Sequence, residues 1–468
     1  LLILKLPGWL DNLAYWLLSN KHLTNAILIN VLILALLFTY LLIITICYGF
    51  IFPLFSKIII NKTNNITFDI GRVYAVNTFG NIFGSFICSF FMIQFLGVAY
   101  SLIFIALISF IISILLVCKN IKNINLTQIS MILLFSIFLF IYFPSYSDYK
   151  QNFFSIFPGK LKNIYPWNSE IYYYKEDIDA TIAAYNIPNR NRKGLLVNGD
   201  GMTVLTKDTK LLAHLPIWLT NGASKNFLNI CFGMGTTFNS TFPYKNMNIE
   251  TVEIIRSVYN TFKYFHPENQ NYLTANNVKT IYGDGANYIK LTNKKYDVIT
   301  LDPAPPIYAF GTVNLYSLEF YKNCNAALTD NGIMCQWLTS GGQTLKTFKM
   351  LIKTFVEVWP NTIILNSPNR IGVILLGSKK AINIEQQDFT KFLENQEIQK
   401  DLNEFGIWHL TNAEIKNYQI LKNNELQNFL KNAEIITEDR PLTEFPLNDI
   451  TDFIYGKKEF ADWYKSLQ

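Results

Sequence analysis

The stretch Lys225–Gly235 (KNFLNICFGMG) runs an apolar strand straight into a glycine turn, and the residues that follow it decide the fold. Ile249–Glu253 (IETVE) is a second apolar run ending in acid, Gly283-Asp284-Gly285 is a tight turn, and Tyr296–Asp302 (YDVITLD) is a further run closed by a carboxylate. From residue 225 to 380 such strands alternate with helical segments, which predicts an α/β doubly wound, Rossmann-like domain. In an open α/β sheet the carboxyl ends of the strands line one crevice, so these glycines and acids should converge there. A nucleoside is the ligand that such a crevice suits.

Gly233 and Gly235 follow the first strand directly, where bare backbone lets a ligand approach. Glu253 ends the next strand, close to the roughly 20-residue offset at which an acid meets ribose hydroxyls. Asp284 can accept from an adenine amino group, while Gly283 and Gly285 permit the turn around it. The ordinary alternatives are turn glycines, a solvated strand-end carboxylate and a plain Asp-Gly turn. Asp302 precedes Pro303-Ala304-Pro305-Pro306, which stops the strand and leaves a carboxylate at the crevice as a general base or a cation-binding group. Its alternative is a capping aspartate. The loop Ile307–Leu315, with Tyr308, Phe310 and Asn314, is a candidate lid, and Tyr308, Asn314 and Tyr316 are candidate substrate contacts. His214, in the helical run Leu211–Leu219, reads as a satisfied core histidine. No metal-ligand spacing, Ser/His/Asp order or phosphate loop occurs, so no metal is expected.

Around this domain the chain is unusually apolar. Half of the 468 residues are hydrophobic and only 16% are charged, well below the roughly 25% of ordinary soluble domains. Residues 1–150 hold eight Lys/Arg and three Asp, against 32 basic and 31 acidic residues in the remainder. The remainder is near neutral, which gives no support to a nucleic-acid partner. Residues 1–24 read as an interfacial or truncated helix, and residues 25–145 as three or four transmembrane helices with a turn at Gly97. The last apolar run, Ser130–Phe143, is short enough to be re-entrant, so the side of the membrane on which the rest lies stays open. Residues 146–224 hold three alternating runs that predict a small antiparallel β-sheet. Residues 381–468 read as a helical extension. The six cysteines lack any paired spacing and are expected to be buried thiols.

Taken in order, these residues resemble the spermidine synthase (polyamine aminopropyltransferase) family, and more closely its membrane-embedded branch. The resemblance rests on Gly71–Gly80 (GRVYAVNTFG) with Gly84, Leu212–Pro216 (LAHLP), Gly233 and Gly235, Val252–Ile254 (VEI), Gly283–Gly285, Leu315–Tyr321 (LYSLEFY), Gln336–Leu338 (QWL) and Thr437–Pro441 (TEDRP). It implies that Gly233, Gly235, Glu253, Asp284 and Gly285 hold a nucleoside donor and that Asp302 is the catalytic aspartate. The implied reaction moves an aminopropyl group from decarboxylated S-adenosylmethionine to putrescine, with the donor as co-substrate and no tightly bound cofactor.

The chain departs from the family at several positions. Pro305 stands where the family has its second aspartate, Val204 where soluble members have a ligand-binding glutamine, and Cys231-Phe232 and Met234 where they carry more glycine and an acid. Three readings follow: a membrane-anchored aminopropyltransferase-like enzyme, an inactive scaffold subunit of a membrane complex, and an S-adenosylmethionine-dependent methyltransferase. The expected partners are the lipid bilayer, a small amine, and further membrane subunits or a second copy. The expected location is a bacterial inner membrane.

Overall fold

The computed structural model describes residues 66–119, 170–187, 192–198, 200–302, 311–341, 343–406, 408–422, 424–445 and 456–466, with short helical pieces between residues 34 and 57 and at residue 130. The expectations for residues 1–24, for most of 25–60 and for the run 131–143 lie outside the described residues. So do Tyr308 and Phe310 of the expected lid.

The chain forms two compact units, the first taking in residues up to Glu170 together with Tyr174–Thr181. Its helix α1 (Ile66–Ile87) continues through a π turn at Cys88–Met92 into α2 (Ile93–Lys119). Gly97 leaves helical geometry at φ 75° and ψ 174°, where the sequence places a turn between two spans. A side chain there would run into Glu176, whose carboxylate accepts the Val98 N–H. The run Ile66–Ile112 is long and apolar enough to cross a membrane, and it is the one such helix among the described residues. Phe79, Phe86 and Phe95 on it are exposed, Phe95 to 75%. The several crossings expected from the sequence therefore reduce, in the described residues, to this single run.

The second unit holds the remaining residues from Ile171 onward. Strands β1 (Glu170–Glu176), β2 (Thr181–Ile187), β3 (Arg192–Val197) and β4 (Asp200–Val204) form a small sheet in that order, with β2–β3 and β3–β4 antiparallel. Helix α3 (Lys207–Leu219) follows, buried along almost its whole length.

The large sheet is then laid down as β5 (Asn226–Ile230), β6 (Asn248–Glu253), β7 (Val278–Tyr282), β8 (Tyr296–Leu301), β9 (Leu328–Thr339), β10 (Ile363–Asn366), β11 (Gly372–Ser378) and β12 (Gln419–Ile420). Its spatial order is β12-β10-β11-β9-β8-β5-β6-β7. The five strands from β7 to β9 are parallel, while β11, β10 and β12 pair antiparallel. The fold is thus Rossmann-like with a mixed sheet, rather than a uniformly doubly wound one. The edge strand β12 comes from the segment read as purely helical, because a two-residue strand carries no periodicity that a sequence pattern can register.

Both faces of this sheet are covered, and the alternation along its strands shows it. On β9, Met334 and Leu338 join one core while Ile333, Cys335 and Trp337 join the other; on β11, Val373 and Leu375 divide from Ile374 and Leu376 in the same way. The first core is filled by α6 (Leu318–Ala327), α7 (Leu345–Val358) and the C-terminal α9 (Lys457–Ser466), whose Phe460 ring lies 4.9 Å from that of Phe348. The second is filled by α3 and by the segment after β11, through Phe389, Phe392, Leu402 and Trp408. Adjacent strand residues point to opposite faces, so a strand buried on both reads as a continuous apolar run.

At the opposite end from the strand carboxyl termini, Glu250 gathers β6, β8 and α5 (Gly285–Leu291). Its Oε2 accepts the hydroxyls of Tyr288 at 2.5 Å and Tyr296 at 2.7 Å, and its Oε1 pairs with Lys294. Burial raises the Glu250 carboxyl, but these partners outweigh it and lower its pKa. The Lys294 side chain is 53% exposed, so its pair is worth about 0–1 kcal/mol. The two buried hydroxyl bonds to a carboxylate are worth about 1.5–3 kcal/mol each. Urea unfolding should therefore show Glu250→Ala losing more than about 2 kcal/mol and Lys294→Ala less than about 1. Equal losses would refute this division.

Candidate functional site

The chain lays down β5, β6 and β7 in one direction, then returns to place β8 on the other side of β5. The strand order therefore reverses between β5 and β8, and the crevice of an open α/β sheet lies outside the carboxyl ends at that reversal. Register fixes what stands there. Ile230 pairs with Leu301 and with Val252, so the next residues along each strand, Cys231, Asp302 and Glu253, the last of β6, come together. The Asp302 N–H points to the Ile230 carbonyl at 3.4 Å. Burial pushes the Cys231 thiol pKa well up, and the charges of Glu253, Asp302 and Asp284, from three different stretches of sequence, push it the same way.

The two glycines of the turn have different duties. Gly233, at φ 55°, has nothing within 4 Å of where a Cβ would sit, and it faces open space. Gly235, at φ 76°, would drive a Cβ to 2.5 Å from Phe262 and 2.6 Å from Phe232, so it is there for packing. Gly285 is likewise a packing residue, its Cβ position blocked by Ile230. Glu253 pins the turn: Oε2 accepts the Phe232 N–H at 2.9 Å and Oε1 the Ile255 N–H at 3.0 Å. Burial raises its pKa and these backbone bonds counter it without cancelling it. The backbone N–H groups of Gly233 and Ile254 also act on this carboxylate, so the turn is held from several sides.

Asp284 caps α5, accepting the N–H groups of Ala286 at 3.0 Å and Asn287 at 3.3 Å. Its ordinary role is thus present, on the crevice side of β7. Asp302 is partly exposed at the end of β8, and burial of its carboxyl pushes its pKa up to about 7. No cation stands against it among the described residues, and that leaves it available as a base near neutrality. Tyr316 is buried, and burial first, then Tyr321, Cys231 and Asp302, push its hydroxyl pKa well up. Asn314 lies in the same 3₁₀ turn, Thr312–Tyr316, but is exposed. Tyr308, the remaining substrate candidate, falls outside the described residues. His214 sits in the core as expected: its Nδ1 lies 2.6 Å from the Tyr244 hydroxyl and its Nε2 2.8 Å from Asp401.

Two residues at the crevice escaped the sequence reading. Cys231 has φ 67°, the left-handed region that a non-glycine residue adopts at a cost of about 1 kcal/mol or more. The signal was available, since it occupies a place at which glycine was expected. The amide of Gln336 on β9 is buried with neither atom in a normal hydrogen bond, as is the nearby Tyr321 hydroxyl. Burial pushes the Tyr321 hydroxyl pKa up and the Gln336 amide beside it draws it down; Gln336 pairs in register with Leu301, one residue before Asp302. Among the described residues no group of three His, Cys, Asp or Glu side chains is placed to hold a metal, and the four described cysteines are free.

Residues 205–365 match the family model for the spermine/spermidine synthase domain. The polyamine aminopropyltransferase of Buchnera aphidicola subsp. Acyrthosiphon pisum is 31% identical over 182 residues, covering 38% of this chain and 62% of that protein. That of Sulfolobus acidocaldarius is 28% identical over 174 residues, covering 36% and 57%. The chain thus spans about three-fifths of the length of these curated relatives. The crystal structure of spermidine synthase from Thermotoga maritima aligns over 56% of this chain and 87% of that one, at 18% identity and a TM-score of 0.46. The matched residues begin just after β4 and end within β10, and they take in Glu253, Asp284 and Asp302.

Proposed function

We propose that this protein is a membrane-anchored aminopropyltransferase that uses decarboxylated S-adenosylmethionine as donor and a small amine as acceptor. The observation that carries the reading is Asp302, a carboxylate at the strand-order reversal with its pKa at about 7. In the reaction the acceptor nitrogen forms a bond to the methylene carbon next to the sulfonium. The carbon–sulfur bond breaks, its electron pair neutralises sulfur, and methylthioadenosine leaves. Asp302 takes the proton that the nitrogen must lose, for which a pKa near the working pH is suited. Glu253 accepts from the ribose hydroxyls, Gly233 admits the donor against bare backbone, and Asp284 faces the adenine.

The acceptor side departs from the family pattern. Pro305 removes one carboxylate that would bind a second ammonium, so the acceptor is expected to carry fewer positive charges near the reacting nitrogen than a diamine bound at both ends. The same feature favours the scaffold reading if the crevice proves empty of chemistry. Membrane attachment is supported by the run Ile66–Ile112 with its outward phenylalanines.

Calorimetry on the full chain in detergent, with decarboxylated S-adenosylmethionine, S-adenosylmethionine and methylthioadenosine, tests the donor. The decarboxylated donor and methylthioadenosine should bind, and Glu253→Ala should weaken both by about 100-fold or more. Binding of none of the three by folded protein would leave the scaffold reading in place of both enzyme readings.

With putrescine as the first acceptor tried, kcat should rise with pH on a limb centred near 7, because the base works only when deprotonated. Asp302→Asn should lower kcat by about 100-fold or more and abolish that limb. A limb that persists in the residual activity of the variant would assign the proton transfer to another group.

Membrane attachment has its own measurement. The full chain should stay with vesicles through alkaline carbonate extraction, and release into the supernatant would refute anchoring.

A further inference from the structure

We propose that Asp401, in the segment after the core sheet, is a positioning residue that holds the glycine turn of the crevice in place. The turn Gly233–Gly235 leads into α4 (Thr236–Asn239), a helix of a single turn. Such a helix has too few internal bonds to be stable alone, so contacts from elsewhere must fix it. At its far end Asp401 supplies them. Its Oδ2 accepts the Ser240 hydroxyl at 2.7 Å and its Oδ1 the Asn239 amide at 3.3 Å. The helix backbone links these residues back to the turn, through Asn239 N–H to Gly235 at 2.8 Å and Ser240 N–H to Thr236 at 3.0 Å.

Asp401 is itself held from α3. The Lys210 ammonium, fully buried, donates to Oδ1 at 2.8 Å and to Glu404 at 2.6 Å, and His214 Nε2 meets Oδ2 at 2.8 Å. Behind His214, Trp218 donates to the Tyr244 oxygen at 2.6 Å, which continues the chain into the core. Burial pushes the Asp401 carboxyl up, but the His214 and Lys210 interactions outweigh it and hold it well below the usual carboxylate range. A carboxylate thus serves as the post between α3 and α4, and it arrives on α8 (Gln396–Leu402), a helix beyond the part matching the synthase domain.

A cavity of about 810 Å³ opens beside this cluster, bounded by Asn239, His266, Asn269, Asp401 and Glu404. Its polar walls mostly bond one another: Asn269 donates to Asn239 at 2.8 Å, and Glu404 lies 3.4 Å from His266 Nδ1. Asp401 already receives four donors. The cluster is therefore built as a brace.

The inference rests on the proposed reading only for which ligand the turn receives. Asp401→Asn keeps the shape but loses the charge that draws Lys210 and His214 together. In the full chain, hydrogen exchange at Gly235–Thr241 should accelerate by about tenfold or more. The methylthioadenosine dissociation constant and the donor KM should rise by about tenfold while kcat stays within about twofold. Leu402→Ala, on the same helix but pointing into the apolar core, should lower the melting temperature without shifting donor KM. Ser240→Ala removes one of the bonds without stranding a charge, and it should move exchange and KM in the same direction by about threefold. If Asp401→Asn fails to fold, Ser240→Ala decides. Unchanged exchange at the turn in the folded variants would overturn the proposal. If wild-type protein binds no nucleoside, the functional reading fails while the exchange measurement still decides the positioning role.

Discussion

The reversal of strand order at β5 is the constraint on which the rest of this structure depends. Because β6 and β7 go to one side of β5 and β8 and β9 to the other, helices cannot cover the ends of β5 and β8, and a crevice is left there. Everything chemically distinctive in the second unit is arranged around that opening. Glu253 reaches back from β6 to accept the Phe232 N–H, Asp302 stands at the end of β8, and Asp284 starts the helix after β7. None of these could meet if the strands had been laid down in simple order.

Burial gives the crevice its chemistry. Glu253 and Asp302 both have raised pKa values because the sheet ends exclude water, yet Glu253 is countered by backbone N–H groups and Asp302 by nothing comparable. Two carboxylates at the ends of the strands that flank β5 are thus suited to different tasks. The first is a fixed acceptor and the second titrates near neutrality. Cys231 between them is a thiol kept protonated by the same surroundings, and its left-handed backbone is tolerated where smaller glycine would be unstrained.

The segment beyond residues 205–365 is part of the architecture rather than an appendage. It adds β12 to the sheet edge, places Phe389, Phe392 and Leu402 against one face and α9 against the other, and sends Asp401 to the far end of α4. A loop designed to receive a ligand has few contacts of its own, so it depends on elements packed behind it. Here the support comes from more than 160 residues away in sequence.

By itself the sequence determined the parallel half of the sheet, the glycine turn and the carboxylates of the crevice, because buried strands read as apolar runs and turns require particular residues locally. It also placed the break at Gly97 and the core role of His214, each visible from its immediate neighbours. Only the tertiary structure decided that β10, β11 and β12 run antiparallel, that Gly235 and Gly285 serve packing while Gly233 faces open space, and that Asp401 reaches Lys210, His214 and Ser240. The physical reason is range. Backbone preference and periodicity act over a few residues, whereas strand direction, the neighbour met by a missing Cβ and the partner of a buried charge are fixed by segments that come together only when the core closes.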